Sequence, residues 1–281
     1  MAVKIVTDSL SDITDDLAQE LGITVVPLYV RFGGEVFRDR VEITTEQFYH
    51  RLVHGTDFPT TTQPPSGDFL EVYKKLAGET DEILVITVSS KLSGTYESAL
   101  QARGMMEGKC RIEVIDSQTV AMGLGLIVIS TAKVAKGGAN LDELADFARQ
   151  AKERSHAIMS FDTLKYLAKG GRIGKAQALL GAMLSVKPIL TVKDGEVVPL
   201  TRVRSRAAGI DYLYNFVAGF SNIEELAVEH ATTPQEADEL VERLGSLFPK
   251  ERIYRSTVSP VLGTHTGPHV LSVSVLEAPT S

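Results

Sequence analysis

Short β-branched runs alternate with amphipathic stretches along the first half of the chain. The runs fall at Val3–Val6, Ile23–Val30, Ile83–Val88 and Ile112–Ile115. Between them, Asp15–Leu21, Thr45–Leu52, Phe69–Leu76 and Tyr96–Met106 place apolar residues at helical spacing. This alternation predicts βαβ units and a mainly parallel sheet with helices on both faces. A longer helical pattern covers Gln118–Lys136 and closes at Gly137-Gly138; Asn140 then caps a helix beginning at Leu141. Ser117–Ala132 carries no charge. It falls short of the ~20 apolar residues needed to cross a bilayer, so it reads as a buried helix.

Near Arg154 the pattern changes. A helix pair breaks at Gly170-Gly171, and strands then become frequent: Ile189–Val192, Val197–Leu200, Leu226–His230, Arg252–Val258 and Val270–Leu276. Lys193-Asp194-Gly195-Glu196 has the chemistry of a hairpin turn, which gives this half an antiparallel component. The expected architecture is α/β in two units: residues 1–155 around a mainly parallel sheet, and 156–281 around a mixed one.

Composition narrows the function classes. Apolar residues make up 43% of the chain and charged residues 23%, values of a globular protein. The single cysteine, Cys110, excludes a disulfide framework or thiolate metal cluster and suits a reducing compartment. Met1 leads directly into a strand-like run with no basic and apolar leader, so a cytoplasmic location is expected. A net charge of −7 argues against nucleic acid as a partner. Residues 149–210 nevertheless hold twelve Lys/Arg against four Asp/Glu. That excess leaves two readings open: a solvated basic face, or a docking surface for an acidic partner or phosphorylated ligand.

Three predicted strands end alike, at Thr7-Asp8-Ser9, Ser89-Ser90 and Asp116-Ser117. Each such pair alone is usually a helix cap, but in a parallel sheet these ends share one crevice, where ligands bind. Ser89–Tyr96 is the most informative of these loops: a helix starting near Ser93 would turn unpaired N–H groups toward an anion. It lacks the spacing of a phosphate-binding P-loop or a dinucleotide fingerprint. Phe58–Pro65 brackets Thr60-Thr61-Thr62-Gln63 with prolines and predicts a stiff, extended loop of hydroxyls. Gly263–His269 surrounds His265 with glycines and a proline and predicts a tight loop. No nucleophile elbow, His-Glu-x-x-His or carboxylate set with metal spacing is present.

In order along the chain, Val6-Thr7-Asp8-Ser9, Thr61-Thr62-Gln63-Pro64, Ser90–Tyr96, Ile115-Asp116-Ser117, Gly170-Gly171-Arg172-Ile173 and Gly263–Pro268 match hallmarks of one family. The chain resembles the DegV family of bacterial lipid-binding proteins over nearly its whole length. The resemblance implies a single DegV-type fold over about residues 3–280, without cofactor or metal. It implies a long-chain fatty acid such as palmitate in a buried tunnel at the interface of the two units. The carboxylate would be held by Thr61 and Ser93, with His265, Arg204 and Ser90 in a supporting network. It further implies a non-catalytic carrier in lipid transport or fatty acid metabolism, serving a fatty acid kinase that docks at Arg172, with transient membrane contact allowed. One departure is His269, where the family usually has glycine; a left-handed backbone there would be harder for histidine.

The physics of an acyl ligand is favourable. Ten methylenes at ~0.8 kcal/mol each give a gross driving force of about 8 kcal/mol. A hydroxyl bond to a carboxylate adds roughly 1.5–3 kcal/mol, so the chain sets affinity and the hydroxyls set position. The rival reading is a stand-alone phosphotransferase or hydrolase using Asp8, Asp116 or Ser93, for which His265 is the one candidate base.

Overall fold

The computed structural model describes residues 2–279, and for residues 181–185 the backbone alone. The first half carries strands β1 (Lys4–Asp8), β2 (Ile23–Val26), β3 (Tyr29–Phe32), β4 (Glu35–Arg38), β5 (Thr60–Thr62), β6 (Glu82–Thr87) and β7 (Arg111–Asp116). Its helices are α1 (Asp15–Leu21), α2 (Thr45–His54), α3 (Ser66–Ala77), α4 (Thr95–Gly104), α5 (Met122–Lys136) and α6 (Leu141–Glu153). The second half carries β8 (Ser155–Ser160), β9 (Lys187–Lys193), β10 (Glu196–Val203), β11 (Ile223–His230), β12 (Ile253–Thr257) and β13 (Leu271–Glu277). Its helices are α7 (Lys165–Lys169), α8 (Arg206–Ala218), α9 (Pro234–Leu244) and α10 (Pro260–Thr266).

Three sheets result. β2-β1-β6-β7 is wholly parallel; β10-β9-β8-β13-β11-β12 is mixed, its one parallel pair being β11 and β12; and β4-β3-β5 is a small antiparallel sheet. The parallel sheet is covered on both faces, so its strands are apolar at successive positions. On β1, Ile5 packs toward the main core, and Val6 toward Phe69 and Tyr73 of α3. On the far face of the mixed sheet, α8 and α9 bury Leu213, Val217, Leu240 and Leu244 against Val228 and Val273. Between the two large sheets lies α5, touching β8, β11 and β13 on one side and β1 and β6 on the other. From Met122 to Ala132 this helix has no solvent face, which explains the uncharged run there; Lys133 and Lys136 stand on its exposed last turn. One core runs from Val3 to Leu276 through this layer.

Local chemistry sets several boundaries. Asn140 and Glu143 form the reciprocal capping box that starts α6, at 3.1 and 2.9 Å. Asp194 and Gly195 both have positive φ, as a tight right-twisted hairpin needs, and join β9 to β10.

Four expectations change. The run Ile23–Val30 is two strands, because Pro27 cannot donate to a ladder and the chain switches sheets there. The threonine-rich loop is strand β5, with Thr61 opposite Val30 of β3. The helical pattern from Gln118 begins as helix only at Met122, since Gln118 and Ala121 hold left-handed φ values of 55° and 60°. The loop around His265 is helix α10, opened by Pro260 and stopped at Gly267, whose φ is 80°. His269 does not have positive φ, so it fits where the family usually has glycine.

Candidate functional site

A cavity of about 340 Å³ opens where the two large sheets and the small one meet. Its apolar wall draws on every layer. Leu10 follows β1, Leu28 joins β2 to β3, and Val120 precedes α5; Met159 lies on β8, Leu167 on α7, and Val261 and Leu262 on α10. Its polar lining is Thr61, Thr62, Gln63, Ser93, Arg172, His265 and Thr266. The strand period exposes Thr61 on one face of β5, and α10 carries His265 to meet it. Thr61 Oγ1 and His265 Nε2 are 2.9 Å apart, although 204 residues separate them in sequence.

Arg172 closes the polar end. Its Nε donates to the Leu92 carbonyl at 3.2 Å and Nη1 to the Gly170 carbonyl at 2.9 Å, which holds it beside Ser93. Ser93 Oγ sits 2.8 Å from Thr95 Oγ1 at the start of α4, where backbone N–H groups of the first turn have no helical acceptor. A carboxylate placed among Thr61, Ser93 and His265 would therefore meet hydroxyl donors, a helix N-terminus and the Arg172 cation. The larger part of the lining is hydrocarbon.

Burial, reinforced by the Arg172 charge, pushes the His265 imidazole down to about 4. His265 is thus neutral at pH 7. The tautomer with its proton on Nε2 donates to Thr61 and leaves the Thr61 hydroxyl hydrogen free for a ligand oxygen. Nδ1 has no partner and faces Gly170, where a Cβ would lie 2.2 Å away. Because the folded value is depressed, the stability His265 contributes is complete above about 6.5 and is lost as pH falls through about 4. In an NMR titration its imidazole signals are expected to stay at neutral positions down to about pH 5. A midpoint near the ordinary value of 6.5 would contradict this environment.

The other anticipated residues lie elsewhere. Arg204 is exposed beyond the end of β10, the outer strand, which reaches the cavity only through Val197; it does not line the site. Ser90 bonds Asp116 through both its hydroxyl (2.5 Å) and its N–H (3.2 Å), and lines a neighbouring cleft of about 350 Å³. That cleft shares Ser93 and Arg172 with the cavity, so Arg172 belongs to both. Around Arg172, Lys169 lies 3.9 Å above the Phe58 ring and Lys175 pairs with Glu196 at 3.4 Å.

The groups of the rival enzyme reading are not assembled. Asp8 is fully buried and accepts from the N–H groups of Leu10 and Val88 at 3.0 and 2.7 Å. Asp116 caps Gln118 at 2.9 Å, and Ser93 pairs with Thr95 while His265 pairs with Thr61. No nucleophile–base pair results. Among the described residues no group of three or more His, Cys, Asp or Glu could hold a metal ion, and no helix is long and apolar enough to cross a membrane.

Sequence reading missed Gln63 as a lining residue, and it took Gly170 as a helix break and part of a motif, without a role at the site. The signal for Gln63 was its place beside Thr61 on a β-branched run. Gly170 gave no local sign of its role, which is to leave room for an imidazole from α10.

Comparison with known proteins gives the family. A family model described as DegV family matches residues 2–278. A DegV domain-containing protein of Caldanaerobacter subterraneus subsp. tengcongensis is 39% identical over 275 residues, covering 96% of this chain and 97% of the relative. A fatty-acid-binding DegV family protein from Thermus thermophilus superposes with a TM-score of 0.91 at 33% identity, covering 99% of this chain and all of that one. DegV of Bacillus subtilis, described as a fatty acid binding protein, superposes at 0.89 with 29% identity, covering 99% of this chain and all of that one. With a family model matching almost the whole chain and relatives matched along nearly their full length, the chain belongs to the DegV family.

Proposed function

We propose that this protein binds one long-chain fatty acid in the cavity, with its carboxylate between Thr61, Ser93 and His265. The observation that carries this reading is the division of the cavity lining: ten apolar residues on one hand, and on the other the hydroxyls of Thr61 and Ser93, the His265 imidazole that meets Thr61, and the Arg172 guanidinium. A fatty acid has the same division. The solved relatives described as fatty acid binding support the choice of ligand. Native mass spectrometry of protein purified from cells tests it. The expected result is one bound long-chain acid per chain, and after delipidation a saturable titration that raises the melting temperature. If short carboxylic acids bind as tightly as long ones, the reading fails.

The role extends from binding to presentation. Neutral hydroxyls fix a carboxylate without capping it, and Arg172 lies both in the cavity and in the adjoining surface cleft. The bound head group would then be accessible to a partner enzyme, a fatty acid kinase, docking over Arg172. Arg172→Glu is expected to slow acyl-phosphate formation by such a kinase, with marked dependence on ionic strength. Equal rates for mutant and wild type at low salt would remove the docking role.

A further inference from the structure

Four carboxyl groups are buried close to one another, Asp8, Asp39 and Glu229 around Asp12. They come from both halves of the chain, and one cation, Arg40, faces them. Asp8 is accounted for by its two N–H donors. The other three gather around the start of α10. Asp12 Oδ1 accepts from the Ser259 N–H at 3.3 Å, and Ser256 Oγ donates to the Asp12 carbonyl. Asp39 Oδ2 accepts from Ser9 Oγ at 2.7 Å, and its carboxyl faces the Val261 N–H in the first turn of α10. Tyr49 donates to the Val258 carbonyl at 3.0 Å. Glu229, on β11, accepts from Ser272 at 3.0 Å and faces the first N–H of α5, that of Met122.

What remains unexplained is the contact between Asp12 and Glu229. Ser256, whose hydroxyl donates to the Asp12 carbonyl, is the register partner of Glu229 on β11, so the two carboxyl groups face each other across β12 and the Asp12 turn. Asp12 Oδ2 and Glu229 Oε1 are fully buried and have no other partner. Two carboxylate oxygens cannot approach so closely in a dry interior unless a proton lies between them. Asp12 also holds a left-handed φ of 50°, a conformation kept only where the surroundings enforce it.

We propose that Asp12 and Glu229 share one proton between the two halves of the chain, and that this proton positions α10 and so sets His265 against Thr61. Both are positioning residues; neither touches the cavity. The link runs from the shared proton through Asp12 to Ser259, then along α10 to His265, five residues after Pro260. The effect on the ligand rests on the fatty acid reading above, whereas the proton itself does not.

The pH behaviour follows. Burial raises all four carboxyl groups, Asp8 and Asp39 to about 7 and Glu229 well above its ordinary range. A group raised on folding contributes stability that is complete below its unfolded value and lost as pH rises through its folded value. Asp8 and Asp39 therefore account for a loss through neutrality, and the shared proton for the loss as pH rises through the pair's own raised value. Tyr49, also raised by burial, stays protonated there.

Asp12→Asn and Glu229→Gln each replace the shared proton with a permanent N–H donor at the same net charge. The experiment compares wild type with both variants as pH is raised beyond the range in which Asp8 and Asp39 titrate. It follows the melting temperature of lipid-free protein, the His265 imidazole signals and palmitate affinity. In wild type the melting temperature is expected to fall and the His265 signals to move, although His265 itself no longer titrates. Palmitate affinity should fall about tenfold for each unit by which binding raises the proton affinity of the pair. In both variants all three are expected to stay flat, with palmitate still bound. Should one variant fail to fold, the other makes the same test. Variants that follow the wild-type slopes, or a wild type without them, overturn the proposal. A wild-type slope abolished in the variants, with no palmitate bound by any of them, leaves the shared proton standing and removes the lipid reading instead.

Discussion

Gly267→Ala is expected to destabilise the protein by about 2–5 kcal/mol, one part from backbone strain and one from overpacking. Gly267 stops α10 at φ 80°, ψ −179°, a region essentially reserved for glycine. A Cβ there would also lie 2.3 Å from the Tyr166 ring, which stacks on Phe58 and cannot retreat freely. Gly138→Ala is the control. Its φ of 92° is also left-handed, but nothing lies within 4 Å of the added carbon, so about 1–2 kcal/mol is expected. Urea denaturation of both variants separates the two contributions. Equal losses would show that the Tyr166 contact costs nothing. Since Leu167, next to Tyr166, lines the cavity, Gly267→Ala should weaken acyl binding as well.

The Thr61→Ala and Ser93→Ala pair is expected to affect affinity most. Each removes a hydrogen bond to a charged group, about 1–3 kcal/mol, and the double mutant should lose about 2–5 kcal/mol. That corresponds to a fall in affinity of roughly 30-fold to several thousand-fold. Stability of the lipid-free protein should change by no more than about 1 kcal/mol, because both side chains are only half-buried. Thr61→Ser keeps the hydroxyl that meets His265 and should recover most of the loss. Calorimetric titration with one long-chain acid is the measurement. Unchanged affinity in the double mutant would place the carboxylate elsewhere in the cavity.

The particular elements explain what could be read in advance. β6 was legible because a strand covered on both faces is a continuous apolar run, and β1 and β7 because their β-branched residues run up to capping residues at Asp8 and Asp116. The α6 cap and the β9–β10 hairpin were legible because each depends on chemistry within four residues. Strand β5 was not, since an exposed three-residue strand has no period of its own and exists only by pairing with β3. Helix α10 was hidden by its small residues and flanking glycines; the buried Asp12 and Asp39 that meet its first turn were the missing information.

The site divides along the same line. Thr61, Ser93, His265 and Arg172 stood out as motifs, and all four line the cavity. Arg204 and Ser90 stood out equally and do not line it, because one lies past the end of an outer strand and the other is taken by Asp116. The carboxyl pair across the seam, Asp12 and Glu229, belongs to no local pattern. By itself the sequence determined the α/β alternation, the switch to clustered strands near Arg154, the helix caps and the supply of hydroxyls. These rest on backbone preference and hydrophobic period, which act over a few residues. Only the tertiary structure decided which hydroxyl meets which imidazole, which arginine faces the cavity, and which buried acids face each other. Those are contacts between residues as far apart as Asp12 and Ser259, brought together when α5 is enclosed between two sheets.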